Sequence, residues 1–521
     1  MTGTNLLKRY KKGLFWAGFF IILFFHFLLR WYHSWGVGSV SYASGDAYGI
    51  ILKSLTLNIY KEGYYLISYL FVVFKEITNT NLENLAFILT PIISAVLLLL
   101  IYYFVYKKFN LIAAFFASLM ITLNPWVAMY STDVSKEIFV IFFFLFSIFY
   151  LFKFKDQRDR LDLFLSFILF SFGSLFYHSI FLFLPIYLLF LIMIIFDKQD
   201  IKKSFIKFIK YLIIFIFLFL IISGFFYFYQ EIKFKEGVNQ KISEGLDTES
   251  AYYGNFLESQ FFSMISAIAY DRDKLGYEAL KNGLLNNYLF GESLFLILFC
   301  LTILFSMNYK NNLYIFVLLT IYIFLIISLQ WTSSSHGSRY PQYIIYFYFI
   351  SIGIMISRLI NFKLTKRISI FVAFALFIIL FINLRPFEYT EGLRHIYVPQ
   401  LQVGQIMHDQ NVTIDQNHQV MLMYWPAITF SIMREYNLND TDLLHPFGWG
   451  AVNLTSISSR EYILQNKITY FIYDHTGNDY FNSSEIVLEN LNKTFDITLI
   501  QKTDRNDLFV SIYQIKDVKL K

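Results

Sequence analysis

The residues of this chain that could do chemistry are few, and they lie just beyond the ends of long apolar runs. The first is Asp46, in the segment SGDAYG at positions 44–49, which follows an apolar run that ends near residue 32. A carboxylate flanked by glycines can approach a substrate closely and accept a proton from it. The alternative is that Asp46 caps the helix that follows, since Asp is a favourable N-cap residue.

A second group of charged residues opens a later apolar run. Asp133, Lys136 and Glu137 fall within one helical turn, after a polar segment that begins at Asn124-Pro125. An N-cap role for Asp133 and a favourable interaction of Glu137 with the helix dipole would explain the two carboxylates. The dipole does not explain Lys136, because a cation is unfavourable at a helix N-terminus.

Three further residues could contact an anion. His178 follows an apolar run at a predicted turn, where a structural role is the alternative. Arg339 is the only Lys or Arg within 331–340, and Tyr340 follows it directly. A guanidinium offers a planar fork of donors that suits phosphate, although an Arg at a helix end can also simply extend its side chain to the membrane surface.

The remaining motifs indicate no specific chemistry. Asp271 and Asp273 could form a divalent-metal site, since hard cations take oxygen ligands, but a solvated loop explains them equally well. We therefore predict no cofactor and no metal ligand, and this pair leaves the question of a divalent metal open. The single cysteine, Cys300, rules out an internal disulfide and a Cys-rich metal centre. The chain has no P-loop, GxSxG or dinucleotide motif, and nothing indicates nucleic-acid binding.

The apolar runs that position these residues dominate the composition. Of 521 residues 57% are hydrophobic and only 15% are charged, against about 25% charged in soluble domains. Since a helix needs roughly 20 apolar residues to cross a membrane, we predict an α-helical multi-pass membrane protein with about eleven spans. The candidate spans are 14–32, 86–106, 110–126, 137–153, 161–177, 179–196, 211–229, 293–308, 312–330, 341–358 and 367–384.

The positions of Lys and Arg predict the direction of these spans, because short basic loops stay in the cytoplasm. The N-terminus and the loop after every even-numbered span are basic, so the N-terminus is predicted to be cytoplasmic. All the candidate residues then fall on the opposite, exoplasmic face of what we expect to be the plasma membrane. Four predicted outside loops cover 33–85, 127–136, 230–292 and 331–340, and His178 marks a further short turn.

The chain divides into two predicted domains. Residues 1–384 form the transmembrane domain, and 385–521 read as a small soluble α/β domain with strands near 419–424, 468–473 and 508–514. Eleven spans place this second domain outside. It also carries all five Asn-x-Ser/Thr sequons, which fits an exoplasmic location; they begin at Asn411, Asn439, Asn453, Asn482 and Asn492.

The order and sidedness of these motifs resemble the GT-C class of membrane glycosyltransferases, in particular the polyprenyl-phosphate-sugar transferases similar to protein O-mannosyltransferases and aminoarabinose transferases. Asp46 within its motif resembles the acidic motif after the first span. The segment from Asn124-Pro125 to Glu137 resembles the second outside loop, and Arg339-Tyr340 before Pro341 resembles a late Arg-Tyr pattern. Asp46 has no adjacent second acid, and no WWDYG-type motif of the oligosaccharyltransferases occurs.

The resemblance implies an inverting hexosyltransferase-like enzyme that moves sugar from a polyprenyl-phosphate carrier to an exoplasmic protein, glycan or lipid acceptor. Asp46 would be the catalytic base, with Asp133 and Glu137 orienting the acceptor or Lys136. Arg339, Tyr340, Lys136 and His178 would bind the donor phosphate. Two alternatives remain, a polysaccharide polymerase or ligase acting on lipid-linked oligosaccharide, and a transporter or flippase without covalent chemistry. The spans are nearly free of charge, which favours an enzyme over a transporter.

Overall fold

A computed structural model describes most of the first half of the chain, one later helix and most of the C-terminal region. The described residues are 3–35, 66–79, 82–124, 127–128, 131, 136–196, 200–229, 341–361, 402–423, 426–438, 442–447, 458–475, 481–505 and 508–518, with the single positions 232, 368, 371, 374–375, 378–379, 382 and 400. Predicted spans 293–308 and 312–330, and most of 367–384, lie outside them.

The described part of the chain up to residue 361 is helical. Its α-helices are α1 Gly3–Trp35, α2 Leu66–Thr78, α3 Leu82–Lys108, α4 Leu111–Leu123, α5 Lys136–Gln157, α6 Arg160–Phe176, α7 Leu184–Ile195, α8 Ile201–Phe219 and α9 Pro341–Asn361. A 3₁₀ segment, His178–Phe183, joins α6 to α7, and a π-helical segment, Leu220–Gly224, continues α8.

Several of these helices are long and apolar enough to cross a membrane. Within the described residues four stretches qualify, Gly13–Tyr32, Ile88–Lys108, Glu137–Gln157 and Ile201–Tyr229. Shorter apolar stretches coincide with three further predicted spans: Leu111–Leu123, Ile180–Ile195 and Ile345–Arg358. The helical, multi-pass character of the chain is therefore confirmed, while the count of eleven spans remains a prediction.

One predicted boundary was wrong. The basic stretch 198–210 reads as a loop, but α8 begins at Ile201, where Asp200 caps it by accepting the Lys203 N–H. The predicted span 179–196 agrees with the apolar helical stretch Ile180–Ile195, which begins as a 3₁₀ segment and becomes α7 at Leu184, with Pro185 in its first turn. Proline has no N–H to donate and is tolerated in the first turn of a helix, which explains the late start of α7.

The described elements fall into two compact units. The first contains α1, α3 from Ile88 onward, and α4 to α9. Within it α9 lies very close to α4, because a Cβ on Gly353 would come within 2.6 Å of the Ala117 backbone nitrogen. At the end of this contact the Ser357 hydroxyl donates to Asn110 Oδ1 over 2.8 Å, and Asn110 is also the N-cap of α4.

The π-helical segment turns polar side chains of α8 toward α6. The Ser223 hydroxyl donates to the Ser171 carbonyl over 2.8 Å, and the Tyr227 hydroxyl donates to the Ser174 carbonyl over 2.9 Å. All four residues except the tyrosine are at most 1% exposed, and Tyr227 is 6% exposed. The end of this largely apolar helix is thus held against α6 by hydrogen bonds.

The second unit contains α2 and the C-terminal elements, which build a five-stranded mixed sheet in the order β2-β1-β3-β5-β4. Strand β1 pairs in parallel with β2 and β3, and β4 and β5 complete the sheet as antiparallel neighbours. The strands and the helices between them are β1 Gln419–Met423, α10 Pro426–Glu435, β2 Leu444–Phe447, α11 Arg460–Gln465, β3 Ile468–His475, α12 Phe481–Thr494, β4 Phe495–Arg505 and β5 Leu508–Val518.

Both faces of this sheet carry an apolar core. Ile472 and Ile512 belong to one core together with residues of α10, and Phe471 belongs to the other with residues of α11 and α12. The alternation follows from the strand period of two, which points successive side chains to opposite faces. Strands β1, β3 and β5 begin where, or close to where, the sequence predicts strands, whereas β2 and β4 were not predicted.

Candidate active site

The candidate site is at one end of the first unit, which we call the outer end: α1 ends there, and α5 and α9 begin there. Glu137 lies in the first turn of α5 and is 4% exposed. Lys136 is the first residue of that helix. A carboxylate is stabilised near a helix N-terminus by the dipole, so the burial of Glu137 at this place is electrostatically reasonable.

His178 is brought to the same end of the unit. It begins the 3₁₀ segment directly after Tyr177, whose backbone is extended and terminates α6. The rings of Phe139 and Phe176 stack with centroids 4.8 Å apart and planes 9° from parallel. Since Phe139 is two residues after Glu137 and Phe176 is two residues before His178, the turns that carry the two candidates are adjacent.

The start of α9 joins this group through aromatic contacts. Tyr343, in its first turn, packs edge-on against Phe183 of the 3₁₀ segment at 5.1 Å between centroids. Phe183 in turn stacks on Phe144 of α5 at 4.4 Å. The turn that begins two residues after Arg339 therefore packs at the same end of the unit as the turns of Glu137 and His178.

The described residues after α4 form a helical turn within the predicted outside loop 127–136. The Asn124 side chain accepts the Val127 N–H at 3.1 Å, and the Ser131 N–H donates to the Val127 carbonyl at 3.0 Å. Asn124 and Ser131 are buried. Asn124 has the extended backbone expected of a residue that precedes proline. This turn ends two residues before Asp133.

Most of the predicted site lies beyond what the structure describes. Asp46, Asp133, Arg339 and Tyr340 fall outside the described residues, and so do Asp271, Asp273 and Cys300. Lys136 and His178 are described by their backbone alone. Among the predicted site residues, the side chain of Glu137 is the one that the structure describes. The described residues hold no group of three or more His, Cys, Asp or Glu that could bind a metal.

Two buried polar residues near the outer end were missed in the sequence. His26 and Arg30 lie within predicted span 14–32, are 0% and 2% exposed, and are one helical turn apart. A charged side chain at mid-membrane costs roughly 2.5–3.5 kcal/mol on insertion scales, so a buried Arg within a span is a functional candidate by default. Their i, i+4 spacing inside an apolar run was the available signal.

Comparison with known proteins supports the family resemblance. The family model of dolichyl-phosphate-mannose-protein mannosyltransferases matches residues 64–227, less than half of the chain. That stretch includes Lys136, Glu137 and His178. No curated protein sequence matches the chain.

Solved structures match over nearly the whole chain. The archaeal oligosaccharyltransferase AglB from Archaeoglobus fulgidus, in complex with an inhibitory peptide and a dolichol-phosphate, aligns with a TM-score of 0.61 at 10% identity, over 96% of this chain and 74% of that chain. ArnT from Cupriavidus metallidurans, bound to undecaprenyl phosphate, also has a TM-score of 0.61 at 10% identity, over 96% of this chain and 97% of that one. ArnT in the apo state gives 0.58 at 10% identity, over 95% and 98%.

These likenesses fix the fold. The chain has the architecture shared by AglB and ArnT, both multi-pass membrane proteins of the GT-C class, and the predicted resemblance to that class is confirmed. At identities near 10% the matches carry no information on individual residues. The roles of the site residues must therefore be argued from their chemistry.

Proposed function

We propose that the chain is a glycosyltransferase of the plasma membrane that moves a sugar from a polyprenyl-phosphate carrier to an acceptor hydroxyl on the exoplasmic side. The observation that carries this proposal is the alignment of 96% of the chain with both AglB and ArnT. One of these structures holds dolichol-phosphate and the other undecaprenyl phosphate. The shared feature is a phosphate on a long isoprenoid chain, which is the donor class proposed here.

The proposed reaction is a single displacement with inversion. The acceptor oxygen attacks the anomeric carbon, and the bond from that carbon to the phosphate oxygen breaks with its electron pair leaving on the phosphate. Asp46 takes the proton of the acceptor hydroxyl as general base. Arg339 and Tyr340, with Lys136 and His178, stabilise the charge on the leaving phosphate. Asp133 and Glu137 orient the acceptor or Lys136.

The geometry of the outer end supports these roles for part of the set. The first turn of α5 packs on the last turn of α6 through Phe139 and Phe176, and the 3₁₀ segment that follows α6 packs on the first turn of α9 through Phe183 and Tyr343. Lys136, Glu137 and His178 therefore lie on adjacent turns, and Arg339 is two residues before the first turn of α9 in the sequence. The proposed reaction needs cations to stabilise the phosphate and a carboxylate to orient the acceptor. The adjacent turns carry residues of both kinds.

A second candidate function keeps the chemistry and changes the donor. AglB is an oligosaccharyltransferase, and its likeness, equal to that of ArnT, keeps open the alternative in which the lipid carries an oligosaccharide and the enzyme is a polymerase or ligase. The two donors are distinguished in one assay. A transporter or flippase, the third candidate, would move a lipid-linked sugar across the membrane without releasing the carrier phosphate.

The test uses the purified full-length protein in proteoliposomes with a membrane extract as source of acceptor. Polyprenyl-phosphate mannose, a polyprenyl-linked oligosaccharide and GDP-mannose are supplied separately, each with a radiolabelled sugar. Transfer of label from a lipid-linked donor is expected, and it should be lost in Asp46→Asn protein. Efficient transfer from GDP-mannose without lipid carrier, or no release of polyprenyl phosphate from any lipid donor, would refute the proposal.

A further inference from the structure

The first ten residues of α8, Ile201–Lys210, extend beyond the helices that pack around the rest of it. Tyr211 packs edge-on against Phe154 of α5 with ring centroids 6.1 Å apart, and α5 ends at Gln157, one turn after Phe154. From there α8 runs toward the outer end, because Phe215 packs against Phe167 of α6. Ile201–Lys210 therefore projects from the opposite end of the first unit, which we call the inner end.

The length of this helix places the projecting segment at the depth of lipid headgroups. The whole apolar stretch Ile201–Tyr229 has 29 residues, which at about 1.5 Å of rise per residue is about 43 Å long. Residues 211–229 alone span about 28 Å. A membrane has a hydrocarbon core about 30 Å thick, and about 40–45 Å with its headgroup regions. Residues 211–229 thus suffice to cross the core, and Ile201–Lys210 remains for the headgroup region at the inner end.

Two stripes of exposed side chains run along this segment. Three lysines, spaced four and three residues apart, share one face of the helix, and we call them the lysine stripe: Lys203, Lys207 and Lys210. Three apolar residues, spaced four residues apart, form an apolar stripe on another face: Ile201, Phe205 and Ile209. Ser204, by contrast, is buried. The segment therefore presents both a basic and an apolar surface outside the packed part of the unit.

The lysine stripe differs from other lysines at the inner end, which are paired with carboxylates. Lys108, the last residue of α3, forms an ion pair with Asp156 of α5. Lys153 of α5 forms an ion pair with the buried Asp162 of α6 at 2.7 Å. Among the residues that the structure describes, no carboxylate forms an ion pair with the lysine stripe. Its positive charge is thus available to an anion from outside the protein.

We propose that Ile201–Lys210 binds anionic phospholipids, with the lysine stripe contacting their headgroup phosphates and the apolar stripe lying between their acyl chains. The basic loops predict that the inner end faces the cytoplasm, where the negative surface potential of the leaflet attracts basic segments. A basic face combined with an apolar one is typical of helices at a membrane surface. A free phosphate or an acidic peptide would leave the apolar stripe uncovered, so the two stripes together favour a lipid. This proposal does not depend on the reaction proposed above.

The first test measures lipid preference with the purified full-length protein in a neutral detergent. Native mass spectrometry compares the binding of phosphatidylglycerol and phosphatidylcholine that carry identical acyl chains. The wild-type protein should prefer phosphatidylglycerol. Because a lysine near an anionic surface contributes about fivefold in affinity, the variant Lys203→Gln/Lys207→Gln/Lys210→Gln should reduce this preference about tenfold or more. Glutamine keeps a long polar side chain at these exposed positions, so the variant should fold.

Two control variants separate the lysine stripe from net charge. Lys203→Arg/Lys207→Arg/Lys210→Arg keeps the three charges in place and should keep the preference for phosphatidylglycerol. The other control removes three charges from exposed lysines of the second unit, and it should bind both lipids as the wild-type protein does: Lys467→Gln/Lys493→Gln/Lys516→Gln.

The second test measures the thermal unfolding midpoint of the same proteins in detergent micelles with added lipid. A ligand that binds the folded state raises this midpoint. Phosphatidylglycerol should raise the midpoint more than phosphatidylcholine does in the wild-type protein and in the arginine variant, and the difference should largely disappear in the stripe glutamine variant. It should also shrink in about 0.5 M NaCl, because salt screens exposed charges.

Three results would overturn the proposal. The first is an equal preference for phosphatidylglycerol in the wild-type protein and the stripe glutamine variant. The second is an equal loss in the second-unit variant, because net charge alone would then govern binding. The third is a rise of the midpoint with inorganic phosphate or polyglutamate, through the same lysines, as large as the rise with phosphatidylglycerol. That result would assign the stripe to free phosphate or to an acidic protein. Neither test measures sugar transfer, so failure of the proposed function would leave both measurements valid.

Discussion

Phe139 and Phe176 stack in parallel, with ring centroids 4.8 Å apart, and this contact brings the turn of Glu137 beside the turn of His178. The two candidates are 41 residues apart in the sequence. Offset parallel stacking contributes about 0.5–1.5 kcal/mol beyond the area it buries. An apolar contact just inside the outer end thus brings the backbone turns of two polar residues from separate helical segments next to each other.

The first prediction concerns the proposed base. Asp46→Asn should lower kcat by about 100-fold or more, the usual scale for removal of a general base. The donor KM should change little, because an amide keeps the size of the side chain. Initial rates of label transfer from polyprenyl-phosphate mannose at several donor concentrations measure both constants. An Asp46→Asn protein with near-normal kcat would identify Asp46 as a helix cap.

The second prediction concerns Arg339. Arg339→Ala should raise the donor KM and lower kcat together, because the donor phosphate is charged before the reaction as well as after it. Arg339→Lys should restore only part of the loss, since an ammonium lacks the bidentate fork. Kinetics of both variants on the same donor provide the measurement.

The double variant Asp46→Asn/Arg339→Ala tests whether the two residues form one catalytic unit. Its activity should be far higher than the product of the two single effects, because residues that act together are not additive. If the loss of activity in the double variant equals the product of the two single losses, the two residues act independently.

The third prediction concerns Glu137, the described member of the predicted site. Glu137→Gln keeps the size of this buried side chain and removes its charge. If Glu137 orients the acceptor, kcat/KM for acceptor should fall about tenfold, the equivalent of one hydrogen bond to a charged group. The donor KM should stay constant. Glu76→Gln, an exposed carboxylate in the last turn of α2, is the control and should have normal kinetics. A changed donor KM with a normal acceptor KM would instead indicate that Glu137 contributes to donor binding.

The fourth prediction concerns packing between α4 and α9. Gly353→Ala places a Cβ 2.6 Å from the Ala117 nitrogen and 2.8 Å from the Ala113 carbonyl oxygen. Backbone atoms cannot move aside cheaply, so the helices must separate, at about 1–3 kcal/mol for overpacking. Gly13→Ala is the matched control, since nothing lies within 4 Å of its Cβ. Thermal unfolding in detergent should show a lower midpoint for Gly353→Ala and an unchanged one for Gly13→Ala. Equal midpoints would contradict the close contact.

The fifth prediction concerns topology. A reporter fused after Lys521 should be exoplasmic, and one fused after Lys203 should be cytoplasmic, because every predicted inside loop is basic. Alkaline phosphatase activity and green fluorescence report the two sides. Both fusions on one side would end the eleven-span arrangement, and the exoplasmic placement of the candidate site with it.

The membrane helices were predictable because hydropathy over about 20 residues is a strong and local signal. The observed α3, Leu82–Lys108, contains the whole predicted span 86–106. Arg30 was overlooked because it falls two residues before the predicted boundary of its span, where an Arg can reach the membrane surface. Its burial depends on which faces of α1 are covered by α3 and α4. That is a tertiary property that no local pattern contains.

In the C-terminal region, too, some elements were predictable from a local pattern and others were not. Strands β1 and β3 begin at Gln419 and Ile468, as their apolar runs predict. Strand β4, Phe495–Arg505, was missed because most of its residues on one face are polar and it lies at the edge of the sheet. An edge strand has only one neighbour, so fewer of its side chains must be apolar.

The π-helical segment Leu220–Gly224 has a consequence for the register of its helix. A π turn holds one residue more than an α turn, so every side chain after it is rotated by about 100° from where a continuous α-helix would place it. That rotation aims Ser223 and Tyr227 at α6, while the helix before the segment presents Ile213 and Phe217 outward. Deleting Ile222 alone would restore a continuous α-helix and turn Tyr227 away from Ser174. An insertion or deletion of a single residue within Leu220–Gly224 would therefore change which side chains at the end of this helix face α6.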